Sequence, residues 1–321
     1  MLWLWILLGV AGFALLSWII MTNIVACVIY RTLLVRTKPE KWNRTISFPE
    51  DEEYCRMHDI GIAWGERYRD CIREVEVESD GLKLVGEYFD FGFKNAAIII
   101  AGRTECVQYS YYFAEPFRRA GRNVLVIDNR AHGHSEGKVS CLGYREYRDI
   151  QQWSRLLHDR FGNERVFLHG ICIGSSTALF ALTSPDCPDY IEAMSCEGMY
   201  TTFFTSFINH MKIDRPKKKR FPIVHETMLF IRLFSHANVV TDGPYKRIEK
   251  LQKPILMLHS REDQFSTPDQ AEYLFAHCTA PDKKLVWFPH GAHSRIRIND
   301  TEAYDDTIVS YLKALDAKHK V

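Results

Sequence analysis

The chain has 321 residues, of which 46% are hydrophobic and 25% are charged, so it can bury a large core and does not have the composition of a disordered protein. The formal net charge is +1, which gives no indication of a nucleic-acid partner. Nine cysteines stand at irregular spacing without a Cys-x-x-Cys pair. That pattern is typical of free thiols in a reducing compartment rather than of a disulfide framework or a metal site.

An uncharged N-terminal segment, residues 2–30, is the first predicted element. It exceeds the ~20 apolar residues that span a bilayer, and Trp3, Trp5 and Tyr30 stand near its ends, where amphipathic rings favour the headgroups. Basic residues follow it but do not precede it, so the positive-inside rule predicts a single-pass membrane anchor at residues 1–31, with the C-terminal domain in the cytoplasm. The alternatives are a lipoprotein signal processed at Cys27 and a buried core helix.

Strand and helix patterns alternate along the rest of the chain. Residues 32–71 are predicted to form a linker and a docking helix, and residues 72–91 a β-hairpin. Further strands are predicted at residues 96–101, 124–127, 166–168, 191–195, 255–258 and 285–288, and helices at residues 111–120, 143–161, 175–183, 268–277 and 302–315. This alternation predicts an α/β fold whose mostly parallel sheet has helices on both faces. Ligands of such sheets bind at the C-terminal ends of the strands.

The pentapeptide Gly-Ile-Cys-Ile-Gly at residues 170–174 follows one of these strands and opens a helix. It has the G-x-S-x-G pattern of a nucleophile elbow, with Cys172 in place of serine. So tight a turn requires neighbours without side chains, and Gly170 and Gly174 meet that requirement. The positive end of the helix dipole favours a thiolate. We therefore predict that Cys172 is a nucleophile rather than a buried structural cysteine.

Candidates for an acid and a base lie in loops that follow two later strands. Asp263 comes after the strand at residues 255–258, where a carboxylate can orient an imidazole, and Glu262 is a lesser candidate for the same role. His290 and His293 come after the last strand. Nucleophile, acid and base thus stand in the chain order that accompanies the G-x-S-x-G elbow.

Together these motifs resemble the α/β-hydrolase superfamily, over residues 72–316. Residues 128–135 (DNRAHGHS) are similar to the D-x-R-x-x-G-x-S loop of that family. The likeness is to membrane-anchored or secreted bacterial members with a short cap, and the family spacing selects His293 over His290. The resemblance implies a hydrolase core at residues 72–198 and 246–321, with a cap insertion at residues 199–245.

The sequence departs from the family pattern at two places. The usual His-Gly after the third strand is replaced by Ala101 and Gly102, followed by Arg103. Because an oxyanion hole needs backbone N–H donors rather than a particular side chain, we assign it to the N–H groups of Ile173 and Arg103. The nucleophile is sulfur, as it is in the dienelactone hydrolases and bile-acid acyltransferases of the same superfamily.

A triad of Cys172, Asp263 and His293 implies a hydrolase that cleaves carboxylic ester or thioester bonds through an acyl-enzyme, without a metal or other cofactor. An acyltransferase with the same triad and a catalytically silent binding module are the alternatives. The aromatic and aliphatic cap predicts a small-molecule acyl substrate of lipid-like or aromatic character. The basic run at residues 217–220 is interpreted as a solvated loop or a contact with anionic headgroups.

Overall fold

A computed structural model describes residues 1–214, 216 and 221–319, so the basic run at residues 217–220 lies outside the described residues. The strands are β1 (Ile72–Ser79), β2 (Leu82–Phe89), β3 (Asn95–Ile100), β4 (Arg122–Ile127), β5 (Val166–Ile171), β6 (Ile191–Glu197), β7 (Ile255–Ser260) and β8 (Lys283–Phe288). The helices are α1 (Leu2–Leu34), α2 (Glu52–Arg67), α3 (Val107–Tyr111), α4 (Glu115–Arg119), α5 (Glu146–Arg155), α6 (Ile173–Leu182), α7 (Phe203–Asp214), α8 (Ile223–Phe234), α9 (Pro244–Arg247), α10 (Pro268–His277), α11 (Ile296–Asn299) and α12 (Thr301–Lys318).

The strands form one sheet in the order β1-β2-β4-β3-β5-β6-β7-β8. β2 runs antiparallel to β1 and β4, whereas the pairs from β4 to β8 are parallel. Strands β3 to β7 are buried along their whole length, as predominantly apolar strands covered on both faces are. The predicted mostly parallel sheet with an antiparallel hairpin at one edge is confirmed.

Helices cover both faces of this sheet and create two apolar cores. One core lies under α2, α3, α4 and α12, and its fully buried members include Met57 and Phe117. The other lies under α5, α6 and α10 and includes Trp153, Leu179 and Leu274. Burial of each such side chain contributes roughly 1.5–3 kcal/mol to the stability of the folded protein. The two cores therefore hold the sheet in place beneath the loops at its C-terminal edge.

The single helix predicted over residues 111–120 is wrong, because two short helices occupy this region. α3 ends at Tyr111 and α4 begins at Glu115, with Pro116 in its first turn. Proline has no N–H to donate, which is harmless in a first turn but breaks the hydrogen-bond ladder of a continuous helix. The chain therefore interrupts the helix just before the proline.

The N-terminal helix α1 is long and apolar enough to cross a membrane. Residues 2–21 are exposed throughout, and at 1.5 Å per residue these twenty residues extend about 30 Å, the thickness of a bilayer's hydrocarbon core. This exposure argues against a buried core helix. From Thr22 onward, α1 instead packs on the cap helix α8, so its C-terminal part belongs to the folded body of the protein.

Candidate active site

The turn between β5 and α6 holds Cys172 at the C-terminal edge of the sheet. β5 ends at Ile171, α6 begins at Ile173, and the backbone of Cys172 between them has φ 55° and ψ −115°. A residue with a side chain is strained in this conformation, and proteins retain such strain mainly at functional sites. The thiol is half-buried and free.

The two glycines of the elbow let the turn close. A Cβ at Gly170 would overlap the carbonyl of Gly174, and a Cβ at Gly174 would overlap the carbonyl oxygen of Ile100 on the neighbouring strand. Both obstacles are backbone atoms, which cannot move away as a flexible side chain can. The structure therefore accounts for glycine at both positions by close approach of the backbone.

His293 and Asp263 form a hydrogen-bonded pair in the loops after β8 and β7. Nδ1 of His293 lies 2.8 Å from Oδ2 of Asp263. The other carboxylate oxygen accepts hydrogen bonds of 2.9 Å from the N–H groups of Phe265 and Ser266. Burial by itself raises the pKa of Asp263, but the charge of His293 and these hydrogen bonds outweigh it and hold that pKa below its usual value. The carboxylate is thus ionised and fixed in orientation.

The second ring nitrogen of His293, Nε2, faces Cys172. Burial disfavours the charged imidazole, but the charge of Asp263, the neighbouring Cys172 and the hydrogen bond to Asp263 outweigh it and raise the pKa of His293 well above its usual value. Nε2 is buried and has no hydrogen-bond partner among the described residues. It is therefore the nitrogen that can exchange a proton with the thiol or with a bound molecule.

The two N–H groups assigned to the oxyanion hole come from neighbouring strands. Ile173 is the first residue of α6, and Arg103 follows β3, which pairs with β5. In the described part of the chain, neither N–H donates a hydrogen bond within the protein. Between them, Gly102 lies so close to the nucleophile that a Cβ there would be 3.6 Å from the Cβ of Cys172. Their role as an oxyanion hole stays a prediction.

The lesser candidates, Glu262 and His290, pair with each other at the surface. Oε1 of Glu262 lies 3.1 Å from Nδ1 of His290, and Oε2 accepts the N–H of Gly291. Both side chains are largely exposed. The structure therefore brings Cys172, His293 and Asp263 together and places this second pair outside the cluster.

Two site residues that the sequence reasoning missed stand at the end of β6. The carbonyl of Glu197 accepts the N–H of Cys172 at 2.9 Å, and burial raises the pKa of the Glu197 carboxyl to about 7. Gly198 has φ 64°, and a Cβ there would lie 2.8 Å from Cε1 of His293. Gly198 thus leaves room for the imidazole. The sequence pattern that could have identified these two residues is a Glu-Gly pair directly after an apolar strand.

The cap also contributes a residue that no motif identifies. His210 on α7 stacks on Phe265, with 3.6 Å between ring centroids, and Phe265 in turn contacts the ring of His293 at 5.5 Å. Burial and the nearby positive charges lower the pKa of His210 to about 4, so it is neutral at pH 7. The first cap helix therefore covers the His293–Asp263 pair.

A cavity of about 680 Å³ opens beside this pair, between α7 and the loop after β7. It is lined by Asn209, Lys212, Ile213, Arg261, Glu262, Asp263, Gln264, Thr267 and Ala292. On the other side, Cys172 borders an apolar cluster made by α1, α7 and α8, with Tyr30, Phe207 and Met228 among its members. Cys172 therefore lies between apolar surface on one side and the covered His293–Asp263 pair on the other.

Sequence comparison matches part of the chain to known proteins. A profile described as alpha/beta hydrolase fold matches residues 96–209. An uncharacterized protein of Bacillus subtilis is 25% identical over 219 residues, which are 68% of this chain and 71% of that protein. An uncharacterized membrane protein of Saccharomyces cerevisiae is 24% identical over 197 residues, which are 61% of this chain and 62% of that protein.

Solved structures with a similar backbone include two esterases. An esterase of Pyrococcus furiosus has a TM-score of 0.67 and 20% identity and covers 78% of this chain and 93% of its own. An esterase of Exiguobacterium antarcticum has a TM-score of 0.56 and 18% identity and covers 75% of this chain and 100% of its own. These likenesses and the sheet order show that the chain has the α/β-hydrolase fold, as the sequence resemblance implied.

Proposed function

We propose that this protein is a hydrolase for carboxylic ester or thioester bonds that uses Cys172 as nucleophile, His293 as acid–base and Asp263 as the residue that orients His293. The observation that carries the proposal is the buried His293–Asp263 pair, whose free Nε2 faces a thiol held in a strained elbow. The esterase structures of similar fold support the choice of reaction.

Acylation follows from the positions of the three side chains. The sulfur of Cys172 attacks the carbonyl carbon of the substrate, and the thiol proton is held on Nε2 of His293. The carbonyl oxygen becomes an oxyanion, which the N–H groups of Ile173 and Arg103 stabilise. When the tetrahedral intermediate collapses, the bond to the leaving group breaks and His293 gives its proton to the departing alcohol or thiol. A thioester to Cys172 remains.

Hydrolysis of that thioester reverses the roles. His293 removes a proton from water as the water oxygen attacks the carbonyl carbon, and the same N–H pair binds the new oxyanion. Collapse then breaks the carbon–sulfur bond and releases the carboxylic acid, while His293 returns the proton to Cys172. Asp263 remains ionised throughout and stabilises the imidazolium.

Membrane attachment through α1 forms part of the same proposal. The exposed apolar length of α1 supports a single-pass anchor, and the basic residues that follow it support a cytoplasmic catalytic domain. The similar yeast protein is described as a membrane protein. The substrate is then an acyl compound of low polarity that the anchored enzyme meets at a membrane.

The test is hydrolysis by the full chain in detergent, with nitrophenyl butyrate and acyl thioesters as substrates. We expect Cys172→Ala and His293→Ala each to lower kcat by roughly 10⁴-fold or more. Cys55→Ala, which changes a free thiol on α2, is the matched control and should retain activity. Iodoacetamide should alkylate Cys172 faster than Cys55, and His293→Ala should remove that difference. Unchanged turnover in Cys172→Ala would contradict the proposal.

A further inference from the structure

The cap helix α8 carries an exposed apolar surface that has no partner in the described residues. Outside α1, the four most exposed large hydrophobic side chains in the described chain all lie on α8 or just before it. They are Phe221 (73% exposed), Phe234 (57%), Leu233 (54%) and Leu229 (52%). The opposite face of the same helix is buried through Val224, Met228 and Ile231. The exposed side therefore carries large apolar side chains together with the polar residues His225 and Arg232, whereas the exposed face of a surface helix is usually polar throughout.

This apolar surface lies beside α1 and is continuous with the exposed apolar surface of that helix. Thr22 donates a hydrogen bond of 2.8 Å to Glu226, and eight residues further along α1 the hydroxyl of Tyr30 lies 3.3 Å from that of Ser235. The two helices therefore run side by side in the same direction. At this level the outer face of α1 is also apolar, with Ile24 and Val28 exposed.

The length of α1 indicates where this helix pair stands relative to the bilayer. Residues 2–30 carry no charge and extend about 44 Å as a helix, whereas a hydrocarbon core is only about 30 Å thick. The surplus of about 14 Å corresponds to the turns that pair with α8. Because this extra part of α1 carries no charge, we expect it to lie within the interfacial region of the membrane. Since α8 packs against this part, we expect α8 to lie in the same region.

The polar contacts between the two helices fit the same environment. Glu226 is the acidic residue of α8, and its Oε1 also accepts a hydrogen bond of 3.2 Å from the side chain of Asn23. Pairing Oε1 with donors from the neighbouring helix offsets part of the cost of placing this carboxylate in a poorly hydrated layer, whereas Oε2 is buried without a partner among the described residues.

We infer that α8 rests in the interfacial layer of the membrane that α1 crosses, so that the cap receives long-chain acyl esters or thioesters directly from the bilayer. The inner faces of the same two helices form the apolar cluster that borders Cys172. An acyl chain that leaves the lipid beside α8 therefore meets apolar surface up to the nucleophile. The substrate class, though not the membrane contact, rests on the proposed hydrolase function.

The membrane contact is tested by photocrosslinking of the full chain in phosphatidylcholine–phosphatidylglycerol nanodiscs with a clickable alkyne acyl chain. A benzophenone amino acid is placed at Leu229 or Leu233, and at Ile60 (41% exposed, α2) or Tyr273 (39%, α10) as matched controls. Trp18 on α1 is the positive control. We expect at least tenfold more lipid adduct at 229 and 233 than at 60 and 273. Adducts at Trp18 with none above control at 229 and 233 would overturn the inference.

The substrate class is tested with the double variant Leu229→Glu/Leu233→Glu. We expect at least a tenfold loss of kcat/KM on a palmitoyl thioester embedded in the nanodiscs and less than a twofold change on soluble nitrophenyl butyrate. Ile60→Glu should alter neither rate. Equal rates on the embedded substrate would refute the route from the bilayer. A chain that hydrolyses neither substrate would refute the proposed function instead, while the crosslinking result would still decide the membrane contact.

Discussion

Glu197 connects the elbow to the His293–Asp263 pair, and its carboxyl group is buried beside both. Oε1 accepts the N–H of Ile296 at 3.3 Å, whereas Oε2 is buried and has no hydrogen-bond partner among the described residues. A carboxyl group in such a place favours the protonated form, which is why burial raises its pKa to about 7. Ionisation of Glu197 therefore opposes folding.

This predicts a pH-dependent gain in stability for Glu197→Gln. Unfolded glutamate ionises near pH 4.3, but the folded protein keeps this proton up to about pH 7, so wild-type stability falls as the pH rises through that window. The amide does not ionise and can still accept the N–H of Ile296. We expect the Tm of the variant to exceed that of the wild type only slightly at pH 5, near the lower end of this window, and by several degrees at pH 8.

The control for Glu197→Gln is Glu302→Gln, an exposed glutamate at the start of α12. Differential scanning fluorimetry from pH 5 to pH 8 measures all three proteins in one detergent. If the Tm of Glu197→Gln and the Tm of the wild type changed with pH in parallel, Glu197 would be ionised in the folded protein and the prediction would be wrong.

At the scale of elements, the turn between β5 and α6 is the most demanding junction of the fold. Gly174→Ala places a Cβ against the backbone of Ile100, and we expect it to lower the free energy of unfolding by ~3 kcal/mol or more, as overpacking against an immobile neighbour does. Gly92→Ala is the matched control, because Gly92 has φ 76° but open space around it, so only the backbone strain of about 1–2 kcal/mol applies.

Urea unfolding measures both glycine variants, and iodoacetamide reports on the site. Gly174→Ala should also slow alkylation of Cys172, because the elbow no longer positions the thiol beside His293. Equal losses of stability in Gly174→Ala and Gly92→Ala would mean that the backbone of β3 shifts to accommodate the added methyl group.

The sequence predicted those elements that are determined by short-range residue patterns. The apolar runs that became β3 to β7 and the Gly-x-Cys-x-Gly elbow are local, and so is the acidic loop that carries Asp263. Pro116 is itself a local signal for the interruption between α3 and α4, although the apolar spacing on either side of it is that of one continuous helix. Gly198 and His210 reach the site only through β6 and the cap, and no local pattern marks such tertiary contacts.

For the whole molecule, helix α1 is better described as two parts with different environments. Residues 2–21 are exposed, whereas the end of α1 is joined to the α/β body at several points. Tyr30 and Leu34 are buried in the apolar cluster that α1 forms with α7 and α8, and Arg103 donates a hydrogen bond of 3.3 Å to the carbonyl of Leu33. Lys41 donates to the last carbonyls of the helix at Arg31, Thr32 and Val35.

Two truncations separate these two parts. Deletion of residues 2–21 removes only exposed side chains, so we expect an unchanged rate on nitrophenyl butyrate and a Tm within a few degrees of the full chain in the same detergent. Deletion of residues 2–36 removes Tyr30 and Leu34, and because each large buried side chain is worth about 2–5 kcal/mol, we expect the Tm to fall by roughly 10 °C or more and hydrolysis to fall with it. Equal Tm values for the two truncated proteins would mean that α1 is a tether along its whole length.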